Sequence, residues 1–178
     1  LIKETYATEI EAIMSRYPTK RSAVLPLMHL AQQEYGYMSD EAKREVAEIL
    51  DLDPTHILSI AGFYTLYYEE PVGKYVLEVC NDLACALRGA DDFLDMVLGK
   101  LDVELHATTD DGLFTVKNVM CIGACDRAPV LQANLKFHEH LDEAKFDALV
   151  ADWRNGIDGP SVSEQILANR KARTEATE

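Results

Sequence analysis

Four cysteines in two tight pairs, Cys80 with Cys85 and Cys121 with Cys125, are the whole thiol inventory of this 178-residue chain. The spacings are C-x4-C and C-x3-C. Thiols concentrated in two short segments arrange ligands rather than fill a core. Several chemistries compete for them. Structural disulfides belong to oxidising compartments, and no charged-then-apolar amino-terminal signal points there. Catalytic thiol exchange of the thioredoxin type needs a C-x-x-C pair so that attacking and resolving sulfurs meet, and neither pair has that spacing. A four-thiolate zinc site needs every sulfur ~2.3 Å from one ion, and these loops are wider than the usual knuckle. A [2Fe–2S] cluster asks for two sulfurs on each of two irons, and four thiolates complete its ligand set. The spacing favours the cluster and leaves zinc open.

The neighbouring residues suit such a cluster. Its charge is negative and becomes more so on reduction, so N–H donors or a helix dipole must meet it. Gly123 lets the backbone approach the sulfurs closely. A helix following Cys85 is expected to turn its positive end toward the site, with Arg88 one turn in. Ala84, Ala124, Ala128 and Pro129 offer a small, mostly apolar surround.

The elements that must position these residues fall into two textures. Residues 1–71 read as a helical region. Tyr6, Ile10, Ile13, Met14 and Tyr17 form one stripe, ended before Pro18. Val24, Leu27, Met28, Ala31 and Tyr35 form the next, ended by Gly36. Ser39 is expected to cap a helix over 40–50, and Asp53-Pro54 to start another. The aromatic run Phe63, Tyr64, Tyr67 and Tyr68 then leaves the helical pattern, with Phe63 expected in the core and some of the tyrosines on a partner surface. Pro71-Val72-Gly73 reads as a boundary.

Residues 72–156 alternate strand and helix. Residues 75–79 form a strand running into Cys80, and 86–101 a helix with Leu87, Phe93, Leu94, Val97, Leu98 and Leu101 near one face. Residues 113–119 form a second strand ending just before Cys121. A hairpin turns at Asn134-Leu135, and a closing helix spans 142–154. Residues 157–178 read as a polar C-terminal arm. This order is that of a thioredoxin-like α/β sandwich, so the fold class is α+β: an N-terminal helical bundle followed by a thioredoxin-like domain. Parallel strands would bring both cysteine pairs to one sheet edge, where open α/β sheets place their sites.

The gross composition narrows the function classes. A net charge of −14 argues against nucleic acid or anionic lipid as partner, since both require basic surface. No apolar run approaches the ~20 residues that span a bilayer. The chain opens at Leu1, and its start is expected to be trimmed or processed. His29, His56, His106, His138 and His140 are not grouped with other ligands, although His138 and His140 alternate on one expected strand.

The segments CNDLACALRGADDF and GLFTVKNVMCIGACDRAPVLQAN closely resemble the small thioredoxin-like [2Fe–2S] subunit of NADH:quinone oxidoreductase, respiratory complex I. That family's pattern is C-x4-C-x-L-x-G, then C-L-G-x-C-x-x-A-P. Cys80, Cys85, Leu87, Gly89, Cys121, Gly123, Cys125, Ala128 and Pro129 match it, and Ile122 replaces a Leu. The likeness extends through QQEYGYMSDEAKREVAEIL and GFYTLYYEEPVGKYVLEVC, about residues 5–155. Asp102–Thr109 lacks the family's usual Gly-rich turn.

The resemblance implies a [2Fe–2S] cluster held by Cys80, Cys85, Cys121 and Cys125, with no catalytic residue and no substrate site on this chain. It implies a subunit of the oxidoreductase complex, packed beside the subunit that binds FMN and NADH. Its place would be peripheral, on the cytoplasmic side of a bacterial inner membrane or in a mitochondrial matrix. Consistently, no Gly-rich dinucleotide fingerprint occurs in the chain. The equivalent subunit of an NAD-linked hydrogenase or formate dehydrogenase is the near alternative. A zinc-stabilised interaction module is the alternative of a different class.

Overall fold

The computed structural model describes residues 1–157, in two compact units that divide at Pro71 and Val72. The C-terminal arm, apart from Ile157, lies outside the described residues.

The first unit is helical: α1 (Ile2–Thr5), α2 (Ala7–Ser15), α3 (Val24–Tyr35), α4 (Asp40–Leu50) and α5 (Pro54–Phe63). Local chemistry sets its boundaries. Gly36 ends α3 in the left-handed conformation, φ 79°, which costs glycine nothing sterically. The Ser39 hydroxyl accepts from the Ala42 N–H at 3.1 Å and starts α4. The Asp53 carboxylate accepts from Thr55 N–H at 2.8 Å, with Pro54 at the first helical position. Ile2, Leu27, Met28, Met38, Val46 and Leu50 fill the core.

After α5 the chain stays on this unit through polar clamps. The Gln32 amide, buried, donates to Leu66 O at 2.9 Å and accepts from Tyr68 N–H at 2.8 Å. Tyr67 donates its hydroxyl to Leu25 O at 2.9 Å. This arrangement does not place Phe63 in the core as expected, while Tyr64 remains 44% exposed. Tyr67 and Tyr68 are buried, whereas Phe63 is 77% exposed.

The second unit is a four-stranded sheet with helices on it. Its elements are β1 (Tyr75–Cys80), α6 (Leu83–Ala86), α7 (Ala90–Leu101), β2 (Phe114–Val119), β3 (Leu131–Ala133), β4 (Lys136–His138) and α8 (Glu143–Arg154). The strand order is β2-β1-β3-β4. β1 and β2 are parallel, with Tyr75 opposite Phe114 and Cys80 opposite Val119. β3 runs antiparallel to β1, and the β3–β4 hairpin turns at the expected Asn134-Leu135.

The two-residue period of a strand explains where the cysteine goes. Tyr75, Leu77 and Val79 join the main core with Phe114, Val116, Leu131, α7 residues Phe93 and Val97, and α8 residues Phe146 and Trp153. Cys80 is out of phase with them and joins a separate small cluster with Cys85, Ala90, Ala124, Ala128 and Val130. Cys80 and Cys85 are therefore segregated from the packing core.

The expected single helix over 86–101 is interrupted. α6 ends at Ala86 and α7 begins at Ala90 after Gly89, whose φ is 84°. That left-handed turn lets the short helix bearing Cys85 leave the axis of α7. Leu87, expected on the apolar face, is in consequence 80% exposed. Arg88 lies in the turn rather than one turn into a helix.

Candidate metal centre

Cys80 is fixed from both sides at the end of the central strand. Its own N–H donates to Val130 O at 3.3 Å, and the next N–H, of Asn81, donates to Val119 O at 3.2 Å. Cys85 follows within one turn. The Asp82 carboxylate accepts from Leu83 N–H at 2.9 Å to start α6, and the Cys85 N–H donates to Asp82 O at 2.8 Å. Both thiols are 1% exposed.

Cys121 and Cys125 sit on the exposed loop after β2. Gly123, at φ 76°, turns that loop so that its N–H donates to Cys121 Sγ at 3.4 Å. Cys125 opens a 3-10 turn, Cys125–Arg127. The Ala128–Pro129 peptide that follows is cis.

The loop is then strapped down by the segment leading into α8. His140 N–H donates to Arg127 O at 2.7 Å, and Leu141 N–H to Pro129 O at 2.9 Å. Arg127 Nη1 meets Glu139 Oε1 at 2.6 Å. His140, at φ 50°, lies off the strand and does not share a face with His138, whose ring stands edge-on to Trp153. The two histidines therefore do not alternate on one strand.

All four sulfurs gather at the carboxyl edge of the parallel β1–β2 pair, as the strand placement anticipates. Their mutual influence shows in their acidity. The Cys85 thiol is pushed up to about 12, first by burial, then by its hydrogen bond with Cys80 and by the charges of Cys80, Cys125 and Cys121. The Cys125 thiol is raised first by the charge on Cys121, then by burial and by a hydrogen bond with Cys121. Four thiolates this close repel one another when nothing cationic lies between them. A metal ion reverses that balance and holds them deprotonated.

The donor set also bears on which metal centre fits. Each cysteine's hydrogen-bonded neighbour is its partner in sequence, Cys80 for Cys85 and Cys121 for Cys125. Two pairs, one buried and one exposed, match the demand of two irons bridged by sulfide. Small side chains, Ala90, Ala124 and Ala128, surround the buried pair.

Ala124 and Ala128 line the site as expected, whereas Ala84 points into solvent. Ala90 and Val130 complete the wall in its place. Neither is legible as a site residue in the sequence, because both reach it through the Gly89 turn and the strapped loop. Leu83, Leu87 and Met120 stand exposed beside the cysteines, an apolar rim of the sort that partners cover.

Comparison with known proteins agrees with this geometry. A family model described as thioredoxin-like [2Fe-2S] ferredoxin matches residues 10–154. A subunit of the NADH-quinone oxidoreductase of Rhizobium meliloti (strain 1021) is 39% identical over 150 residues, covering 84% of this chain and 89% of that one. Subunit 2 of the NADH-quinone oxidoreductase of Thermus thermophilus is 37% identical over 150 residues, covering 83% of each chain. Among solved structures, an NAD+-reducing [NiFe]-hydrogenase in the air-oxidised state aligns with TM-score 0.64 at 22% identity, over 74% of this chain and 23% of that chain. That likeness is one of fold.

Proposed function

The chain belongs to the thioredoxin-like [2Fe-2S] ferredoxin family, and on that premise we propose that it is the electron-transfer subunit of an NADH:quinone oxidoreductase, with Cys80, Cys85, Cys121 and Cys125 as the ligands of its cluster. The bound cluster supplies reversible one-electron transfer, without bond-making on any substrate. Cys80 and Cys85 would hold one iron from the buried side, and Cys121 and Cys125 the other from the exposed loop. The Gly123 N–H offers a hydrogen bond to a ligand sulfur. Ala90, Ala124, Ala128 and Val130 exclude water behind it.

The observation that carries this reading is the meeting of four thiols as two pairs at one sheet edge. The relatives at 37–39% identity support the quinone oxidoreductase over the corresponding module of an NAD-linked hydrogenase or formate dehydrogenase. The exposed Leu83, Leu87 and Met120 support docking of this edge against the flavin- and NADH-binding subunit. Among the described residues no helix is long and apolar enough to cross a membrane. Attachment through that partner would give the chain its peripheral place, on the cytoplasmic side.

Anaerobic purification followed by iron, sulfide and zinc analysis tests the centre. Two irons and two sulfides per chain, with visible absorption that bleaches on reduction, are expected. A colourless, iron-free, zinc-replete protein overturns the proposal. Co-purification with the flavin-bearing subunit, weakened by Leu87→Glu, tests the partner.

A further inference from the structure

The loop that carries Cys121 and Cys125 has little regular structure of its own, and an ion pair anchors it to the strap before α8. Arg127 closes the same 3-10 turn that Cys125 opens. Its backbone is fixed at both ends: the N–H donates to Ala124 O at 3.0 Å, and the carbonyl accepts from His140 N–H at 2.7 Å. Where its guanidinium goes is decided by carboxylates. Glu139 takes Nη1 at 2.6 Å, and Asp126 lies 3.5 Å from Nε. Glu139 is held in turn by the structure after it. Lys145 Nζ donates to His140 O at 2.5 Å, and Asp142 caps α8 through Lys145 N–H at 2.8 Å. The α8 start, the strap and the ligand loop thus form one connected unit.

We propose that Glu139 is a positioning residue for Arg127, and that this neutral pair, in the turn that Cys125 opens, holds the local charge at the value that sets the reduction potential of the site. The inference rests on the [2Fe–2S] reading above. Reduction adds one negative charge to a centre that is already anionic, so a nearby uncompensated cation favours the reduced state and an uncompensated anion opposes it. Arg127 is the cation nearest in sequence to a ligand cysteine in this loop. Glu139 cancels its charge and turns it toward the strap.

The test is a potentiometric titration of the cluster-loaded full chain, followed by the EPR signal of the reduced state, in wild type, Glu139→Gln, Arg127→Gln and the double variant. Glu139→Gln leaves Arg127 without its main partner and is expected to raise the potential, increasing the reduced-to-oxidised ratio at fixed potential by about threefold. Arg127→Gln leaves Glu139 and Asp126 unbalanced and is expected to lower the ratio by a similar factor. The double variant returns close to wild type, and both single shifts shrink as salt rises through the screening range. A pair that only braces the loop would give shifts of one sign, or cluster loss without a shift. Either result overturns the proposal, as does a Glu139→Gln potential equal to wild type. Wild-type protein without cluster absorption would count against the cofactor reading instead, so the two failures are distinct.

Discussion

Inside the helical unit, the Tyr35 hydroxyl donates to the Glu45 carboxylate at 2.9 Å, and the Lys3 backbone N–H donates to the same carboxylate at 3.1 Å. Glu45 is a buried acid. Burial pulls its pKa upward, but the hydrogen bonds from Lys3, Tyr35 and Ile2 outweigh that and hold it below the ordinary glutamate range. The folded chain thus binds this proton more weakly than the unfolded chain does. The resulting stability is complete above the ordinary glutamate pKa and is lost as pH falls through the lower folded value.

Glu45→Gln is expected to flatten that acid limb. It should also cost roughly 1–3 kcal/mol at neutral pH, the range for removing one partner of a buried polar contact. Urea melts followed by far-ultraviolet circular dichroism at several pH values measure both. An unchanged acid limb would remove Glu45 from the account.

Among the glycines described, Gly73 makes the closest approach to neighbouring backbone. A Cβ there would lie 2.8 Å from the Leu113 carbonyl group and from Phe114 N, and the Gly73 N–H already donates to Thr115 Oγ1 at 2.7 Å. Gly73→Ala should force the start of β2 away and destabilise the unit by about 1–3 kcal/mol, the usual cost of overpacking. Trp153, the chain's one tryptophan, packs against Tyr75 and Phe114, so its fluorescence reads that unfolding directly. A midpoint equal to wild type would contradict the close approach.

Asn134 joins the hairpin to the central strand. Its Oδ1 accepts from Val76 N–H at 3.0 Å, and its Nδ2 donates to Lys74 O at 2.8 Å. Asn134→Ala removes both bonds and places alanine at φ 46°, where asparagine is the better tolerated residue. A loss of about 2–4 kcal/mol is expected from two unmade buried hydrogen bonds plus that conformational cost. Hydrogen exchange at Val76 should accelerate, and protection there as strong as in wild type would sink the assignment.

The four cysteines should separate by reactivity once the metal is removed. Cys121 and Cys125 are exposed while Cys80 and Cys85 are buried, so brief alkylation followed by peptide mass analysis should label the second pair first. With the cluster in place all four should resist labelling, and Cys85→Ser should lose or alter the visible spectrum. Rapid labelling of Cys85, or a Cys85→Ser spectrum identical to wild type, would count against the ligand assignment.

Features set by local chemistry are readable from residue order. Ser39 and Asp53, followed by Pro54, are side-chain caps and Gly36 is a helix stop, so these helix boundaries emerge where expected, while Asp142 caps the last helix rather than opening it. The hairpin likewise turns at Asn134, a residue type that tolerates positive φ. The meeting of the cysteine pairs requires one further inference, that β1 and β2 are parallel.

What stays hidden depends on the fold as a whole. The helical pattern runs through Leu87–Gly89 because periodicity does not register a single left-handed residue, and it puts Leu87 on the wrong side. Phe63 carries the residue type of a core position, yet Gln32 draws the following tyrosines inward and leaves Phe63 outside. The Arg127–Glu139 contact joins residues twelve positions apart and exists only once the hairpin has closed. Side-chain type alone cannot announce such a pair.

The register that sets Cys80 opposite Val119 also imposes a schedule on biogenesis. During synthesis the Cys80–Cys85 dithiol leaves the ribosome first, and on the proposed ligand set it would be half of the centre until β2 has emerged and paired with β1. Distant parallel pairing is among the slower events of folding. A cluster held by all four cysteines would therefore find its complete set of thiols only after the sheet has closed. Before then, the first pair is open to stray metal ions and oxidants.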